Sequence, residues 1–528
     1  MTNNNAAGKV WLVGAGPGDR GLFTLKGLEV LQQADVVVYD ALVGDGVLSM
    51  IPDGAKLIDV GKRAGDHKMP QEEMNKVLLT EAQAGHKVVR LKGGDPFLFG
   101  RGGEELELLV EHGVPFEIIP GVTSAIAVPA YNGIPVTHRD FTSSIHIITG
   151  HKRSAKIQQE ASGGDIGDAQ RKAGDPDYDI DFEALVRTKG TLVFLMGFAA
   201  LPDIVAGLLK AGMDPDMSAA VLQQGTTSKQ NRAVGTISTI EEESKRKQIH
   251  TPAIILVGKV CTLADQFFWY EKLPLFGKRI LLTRPRENAS KTAALLREKG
   301  AEVLELPSIK TESISPNKEL ADALKIKFQW LVFTSPIGVR VFFEEFLREH
   351  DIRALFGVKI AVIGEGTKKE LKQRGLQADF VPSVYDGETL GKELSQELKE
   401  GDTVLIPRAR IGGKELTDAL AGVKGVKILD IPTYETLFEA SEAINEKAEI
   451  EQGLIDYAVF TSASTVEGFA KTVGDVDYSA LKAICIGKQT KAAADRLGMQ
   501  TVMAEKATIE ALVNKVIEVA SENNASAN

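Results

Sequence analysis

The second half of this 528-residue chain repeats itself. LLTRPR at 281–286 returns as LIPRAR at 405–410, WLVFTSPIGV at 330–339 as YAVFTSASTV at 457–466, and IAVIGEGTKKELKQRG at 360–375 as AICIGKQTKAAADRLG at 483–498. The three pairs keep their order, at offsets of 124, 127 and 123 positions. A period that long is not a solenoid repeat. Each unit joins an apolar strand-like run to a helical pattern, so the region reads as two similar α/β lobes. A cleft between such lobes is the default ligand site.

The first half alternates in the same way, with VWLVG, then TLKGLEVLQQA, then DVVVYD, which argues for parallel α/β sheets. Residues 8–120 read as one domain. A second, 121–260, opens near PGVTSA, contains TLVFLMG and AAVLQQGT, and closes with PAIILVG. Inside it, residues 154–181 are polar with no periodic apolar face and read as a mobile surface insertion. Residues 261–277 form a linker whose aromatic run FFWY is expected to dock on a domain. Residues 278–520 hold the two lobes.

Composition excludes several classes. Two cysteines, Cys261 and Cys485, cannot build a disulfide framework and lack metal-ligand spacing, so no metal site is expected. The polar start MTNNNAAGK runs directly into a strand-like segment, and nowhere do about 18 apolar residues follow one another. The expectation is a cytoplasmic protein with no membrane partner. A net charge of −10 argues against a nucleic-acid partner. Basic residues cluster locally, at Lys62-Arg63, His67-Lys68, Arg90-Lys92, His138-Arg139 and His151-Lys152-Arg153, a distribution suited to a small polyanion.

Residues 90–105, RLKGGDPFLFGRGGEE, place an apolar FLF between glycine turns, with Arg101 and Glu104 spaced to share one helical face. This reads as a ligand-cradling loop entering a helix. Gly14-Ala15-Gly16-Pro17-Gly18-Asp19 has the spacing of a dinucleotide fingerprint, with Asp40 about twenty residues on. However, Asp19 would repel a pyrophosphate and Pro17 has no N–H to donate. C-terminal strand ends gather functional groups in α/β folds, which singles out Asp40 after DVVVY; Lys62 opens the GKR turn after KLIDV.

The 90–105 stretch, with the GPGD loop, resembles the signature of uroporphyrinogen-III C-methyltransferases, members of the tetrapyrrole methylase family. The resemblance implies a two-domain methylase fold, typically dimeric, that uses S-adenosylmethionine. It assigns cofactor contacts to Pro17, Gly93, Gly94, Asp95, Leu98, Thr123, Ser124, Met196, Gly225 and Ala253. Taken alone, Met196 reads as a core side chain; its place after TLVFL is what the resemblance uses. Asp40 and Lys62 correspond to proton acceptor and donor positions, and Arg101 joins them as a catalytic candidate. Glu104 and Arg139 correspond to substrate positions. Arginine suits a substrate bearing eight carboxylates.

The order TRPR, FTS, IGxxT and a proline–tyrosine segment, run twice across 277–520, is similar to uroporphyrinogen-III synthase, which closes hydroxymethylbilane. Here Tyr434 and Thr490 match cleft positions, with Tyr434 placed to protonate the departing hydroxyl, and no cofactor is implied. Arg284, Arg286, Arg408 and Arg410 are candidates for substrate carboxylates and equally for solvated strand-end turns. The expected protein is a fusion that makes uroporphyrinogen III and methylates it at C2 and C7 to precorrin-2, on the route to sirohaem and cobalamin. The alternative is a later corrin-pathway methylase fused to a non-catalytic two-lobed binding module.

Overall fold

The computed structural model describes residues 8–52, 54–61, 69–150, 180–285, 291–438 and 445–527. The expected insertion lies outside the described residues except for Ile180 and Asp181, and so does Lys62. Ile180 packs against the core of the second domain, and Asp181 caps the helix Phe182–Thr188 by accepting from the Ala184 N–H at 2.8 Å.

The first sheet contains β1 (Lys9–Gly14), β2 (Val36–Tyr39), β3 (Lys56–Asp59), β4 (Lys87–Lys92) and β5 (Phe116–Ile119), in the order β3-β2-β4-β1-β5. All its pairings are parallel. The inner strands are nearly continuous apolar runs because helices cover both faces, whereas the edge strands β3 and β5 are half-exposed.

The second sheet departs from the all-parallel expectation. Its strands are β6 (Ile145–Thr149), β7 (Thr191–Leu195), β8 (Ser218–Gln223), β9 (Asn231–Thr236) and β10 (Ala253–Val257), in the order β6-β7-β10-β8-β9. Only β6 and β7 run parallel. The connection from β8 to β9 is too short for a crossover helix, so those strands must pair antiparallel.

The aromatic linker packs on this domain. Trp269 donates to the Ala130 carbonyl at 3.0 Å, Tyr270 meets Tyr131 edge-on, and Arg232 lies over the Phe268 ring.

The repeats fall on equivalent strands. β11 (Arg279–Pro285) matches β15 (Thr403–Ala409), β13 (Trp330–Phe333) matches β17 (Tyr457–Phe460), and β14 (Lys359–Val362) matches β18 (Lys482–Cys485). Each FTS serine caps the helix after its strand: Ser335 caps Pro336–Phe346 and Ser462 caps Ala463–Val473. One lobe pairs β13 with β14 and β15; the other pairs β17 with β11 and β18, and β18 with β19 (Gln500–Met503). Each lobe therefore combines the TRPR-type strand of one repeat with the FTS strand of the other. The chain reaches the middle lobe through β12 (Glu302–Ser313) and leaves it through β16 (Lys427–Phe438).

Two compact units result: residues 1–284, 289–306 and 440–528 form one, and 285–288 with 307–439 the other. The 261–277 linker thus lies inside the first unit, which holds both methylase domains and the lobe built on β11, β17, β18 and β19. Arg279 anchors that lobe. Its guanidinium is almost fully buried and pairs with Asp45 of the first domain, with Glu302 at 3.4 Å and with Glu449 at 3.0 Å. Glu302 also accepts from the Ser228 N–H and hydroxyl at 3.0 and 2.5 Å.

Candidate active sites

In the first domain, the loops leaving β1, β4 and β5 converge at the C-terminal ends of the parallel strands. Gly16 and Gly94 exchange backbone hydrogen bonds at 3.1 and 2.8 Å. A Cβ at Gly14 would lie 2.4 Å from the Gly121 Cα, and one at Gly121 would lie 2.2 Å from the Gly94 carbonyl oxygen. Glycine is required there because backbone packs on backbone. Gly94 itself has φ +67° with open space where its side chain would be. Asp95 holds the assembly through its carboxylate, accepting from Phe97 and Leu98 N–H at 2.8 and 3.0 Å and from Gly121 N–H at 3.0 Å.

The GPGD loop reaches the second domain. Asp19 N–H donates to the Thr226 hydroxyl at 3.1 Å, and the Tyr131 hydroxyl donates to Asp19 at 2.7 Å. A Cβ at Gly18 would meet Thr226, Thr227 and the Gly225 carbonyl. Pro17, Gly93, Gly94, Asp95 and Gly225 thus belong to one set of touching loops. Thr123 caps the helix Ser124–Tyr131, accepting from Ala125 N–H at 3.2 Å. Leu98 packs against the core cluster that includes Ala125 and Val128 of that helix. Met196, Gly225 and Ala253 share one end of the second sheet's inner strands, since β10 begins opposite the ends of β7 and β8.

Backbone strain collects in these loops. Among the described residues, seven non-glycine residues have positive φ, and five of them are Phe99, Arg101, Met196, Gln224 and Thr226. Such conformations cost on the order of 1 kcal/mol or more each and persist where surrounding structure demands them. Met196 is over half exposed, as are Phe97 and Leu42, so its side chain is presented to solvent rather than buried in the core.

Arg101 and Glu104 meet through two hydrogen bonds at 2.9 and 2.5 Å, both side chains about half exposed. That bond, then the opposite charge, raises Arg101 and lowers Glu104 from their ordinary pKa values. Arg139 lies exposed on the turn between His138 and Thr142. Asp40 follows β2; one carboxylate oxygen accepts from Leu42 N–H at 3.1 Å and the other sits 3.3 Å from Arg90 Nη2.

The Arg90-Lys92 cluster corrects the sequence reading. Arg90 and Lys92 are 2% and 5% exposed, so neither is offered to a polyanion. Alternation along β4 turns both to one face, where Glu105, fully buried, meets them. Burial and then the charge of Arg90 hold the Lys92 ammonium below the ordinary lysine range, against the pull of Glu105. The signal was present as Arg and Lys two apart on a strand, with a glutamate on the apolar face of the next helix.

In the synthase half, Tyr434 lies on β16, 6% exposed, with its hydroxyl 2.8 Å from the Ser335 hydroxyl. Sequence reasoning did not select Ser335 as Tyr434's partner. Burial raises the Tyr434 pKa against that hydrogen bond. Thr490 is buried at the third position of the helix Lys488–Arg496, as is its repeat equivalent Thr367 in Glu365–Gln373. Tyr434 and Thr490 belong to different compact units. Two candidate substrate arginines are internally paired: Arg408 forks onto Asp430 at 2.6 and 2.5 Å, and Arg410 meets Glu435 at 2.5 Å. Among the described residues, no group of acidic, histidine or cysteine side chains could hold a metal ion, and no helix is long and apolar enough to cross a membrane.

A glycine-built cradle joins two α/β domains, and a two-lobed module follows them. Residues 9–241 match the tetrapyrrole (corrin/porphyrin) methylases, and residues 290–514 match uroporphyrinogen-III synthase HemD. The chain is 43% identical to the porphyrin biosynthesis protein HemD of Ruminiclostridium josui, covering 98% of this chain and 99% of that one. It is 39% identical to the uroporphyrinogen-III C-methyltransferase of Bacillus subtilis, over 70% of this chain and 72% of that one. Among solved structures it is similar to a uroporphyrin-III C-methyltransferase from Thermus thermophilus complexed with S-adenyl homocysteine, at 37% identity and TM-score 0.39, covering 48% of this chain and 100% of that one. The chain belongs to the family of tetrapyrrole methylase–uroporphyrinogen-III synthase fusions, bifunctional enzymes of porphyrin biosynthesis, and both of its halves are of catalytic families.

Proposed function

We propose that the N-terminal half methylates uroporphyrinogen III at C2 and C7, giving precorrin-2, and that the C-terminal half makes that uroporphyrinogen III from hydroxymethylbilane. The observation that carries this reading is the loop cradle at Gly14, Gly94 and Gly121, with strained Phe99, Arg101, Met196 and Thr226 on loops of the same two domains. Open space at Gly94 and exposed apolar Met196 suit a ligand with an apolar face and a short zwitterionic tail, which fits S-adenosylmethionine. When bound, that group supplies a methyl activated by a sulfonium.

The chain's own residues then have separable tasks. Gly93, Gly94, Thr123, Ser124, Gly225 and Ala253 hold the cofactor with backbone and small side chains. Arg101 and Arg139, exposed, meet substrate carboxylates, and Glu104 orients Arg101. Asp40 takes the proton that the macrocycle loses, and Lys62 serves the opposite transfer. Tyr434, kept protonated by burial, donates to the departing hydroxyl of the bilane, with Ser335 orienting it. We place the enzyme in the cytoplasm as a homodimer formed through the methylase half.

Supplying hydroxymethylbilane alone and resolving the uroporphyrinogen isomers tests the synthase assignment. The type III isomer is expected. Only the type I isomer, which forms spontaneously, would mean that the C-terminal lobes bind without turnover.

A further inference from the structure

The helix Gly102–Glu111 buries Gly102, Glu105, Leu106 and Leu109, the spacing of a core-facing stripe. Glu105 is the anomaly in that stripe. Its carboxylate is 0% exposed, with Oε1 at 2.5 Å from Lys92 Nζ, 3.5 Å from Arg90 Nε and 3.4 Å from Gln71 Nε2. Its second oxygen and Arg90 Nε are buried without hydrogen-bond partners. Arg90 continues outward: Nη1 donates to the Leu91 carbonyl at 2.7 Å, and Nη2 reaches Asp40 at 3.3 Å. Four ionisable groups therefore form one line, Lys92–Glu105–Arg90–Asp40, with only Asp40 partly open to solvent at 25%.

Such a buried array is a poor way to gain stability, because desolvating ions offsets much of their attraction. As drawn it carries two positive and two negative charges. A proton gained by Asp40 leaves a net positive charge in a low-dielectric interior, where the cost is felt along the whole line. Asp59, at the end of neighbouring β3 and in register with Tyr39, turns its carboxylate to Gly61 N–H, from which it accepts at 2.9 Å. Helix Gln71–Gln83 presents neutral Gln71 and Asn75 to this region.

We propose that Arg90 is a positioning residue for methyl transfer, fixing the orientation of the Asp40 carboxylate and the charge it faces, and that Glu105 and Lys92 set the charge Arg90 presents. This rests on the reading of Asp40 as proton acceptor. In that step a ring carbon bonds to the methyl carbon and the methyl–sulfur bond breaks, its electron pair staying on sulfur. The macrocycle then releases one proton to Asp40 and keeps the bonding pair in the ring.

The test is the pH profile of kcat/KM for methylation of supplied uroporphyrinogen III by the full chain, against wild type. Removing the cation in Arg90→Gln should move the acid limb to higher pH by about one unit. Removing the carboxylate in Glu105→Gln should move it the other way, by about half a unit. The double variant Lys92→Met/Glu105→Gln removes one charge of each sign and should leave the limb where it is. Arg90→Lys should restore part of the Arg90→Gln shift.

Calorimetric affinity for S-adenosylmethionine, whose proposed contacts do not include these residues, reports that each variant is folded. If Arg90→Gln fails that check, Arg90→Lys and Glu105→Gln decide the sign. Limbs that stay put, or that shift in the same direction in both single variants with cofactor affinity intact, would overturn the proposal. An acid limb that persists in Asp40→Asn would instead remove the reading of Asp40 beneath it.

Discussion

Arg20, in the turn after the GPGD loop, donates to Glu305 on β12 at 2.5 Å, joining positions 285 residues apart. The same carboxylate oxygen accepts from Arg297 at 2.8 Å. Through this contact, and through Arg279 with Asp45 and Ser228 with Glu302, the methylase half and one synthase lobe pack as one compact unit. Arg279→Met removes a nearly buried cation from three carboxylates and should destabilise the first unit by about 3 kcal/mol. Denaturant unfolding followed by tryptophan fluorescence measures this. A loss near zero would mean that the arginine is not what anchors the lobe.

Shared packing need not mean shared chemistry. Asp40→Asn should lower methyl transfer by about 10²-fold or more and leave hydroxymethylbilane closure at its normal rate. Tyr434→Phe should do the reverse. Separate assays of the two reactions decide it, and loss of both activities in a folded Asp40→Asn protein would place the two reactions under one obligatory coupling.

Tyr434 also makes a pH prediction. Its pKa is raised by burial above the ordinary tyrosine value, so the phenol gives up its proton less readily than a free tyrosine. A proton donor of that kind gives no alkaline loss of cyclisation between about pH 8 and 10. A limb in that window that vanishes in Tyr434→Phe would show the tyrosine ionising normally.

How much of this was legible follows from what each residue does locally. The duplication was readable because each apolar strand, its serine or glycine cap and its helix are contiguous in sequence. The exchange of strands between lobes was not, since pairing β11 with β17 rather than β15 is decided by packing. The 90–105 loop was legible because glycines are required where Gly14, Gly94 and Gly121 touch. Arg90 and Lys92 were misread as a basic cluster for a polyanion because neutralisation by Asp40 and Glu105 acts across elements. The mixed second sheet was missed because β-branched runs look alike in parallel and antiparallel pairs.

Arg101→Ala should reduce methylation at least about tenfold while changing S-adenosylmethionine affinity less than about twofold. The side chain is exposed and engaged with Glu104, whereas the cofactor loops are held by Gly16, Gly94 and Asp95. Calorimetry beside initial rates separates these effects. Equal weakening of both would show that Arg101 supports the cofactor loop.

Replacing residues 154–179 with a short Gly-Ser bridge should leave methylation near wild type, because that sequence has no apolar stripe to pack. The cut stops before Asp181, which caps the following helix. Initial rates and soluble yield measure the outcome, and a large fall in either would mean that the segment packs on the core.

The most direct test supplies the purified full chain with hydroxymethylbilane and methyl-labelled S-adenosylmethionine and follows the products by mass spectrometry. A cyclic type III product carrying two labelled methyl groups is expected, formed without any added enzyme. Unmethylated type I uroporphyrinogen as the sole product would contradict both assigned reactions.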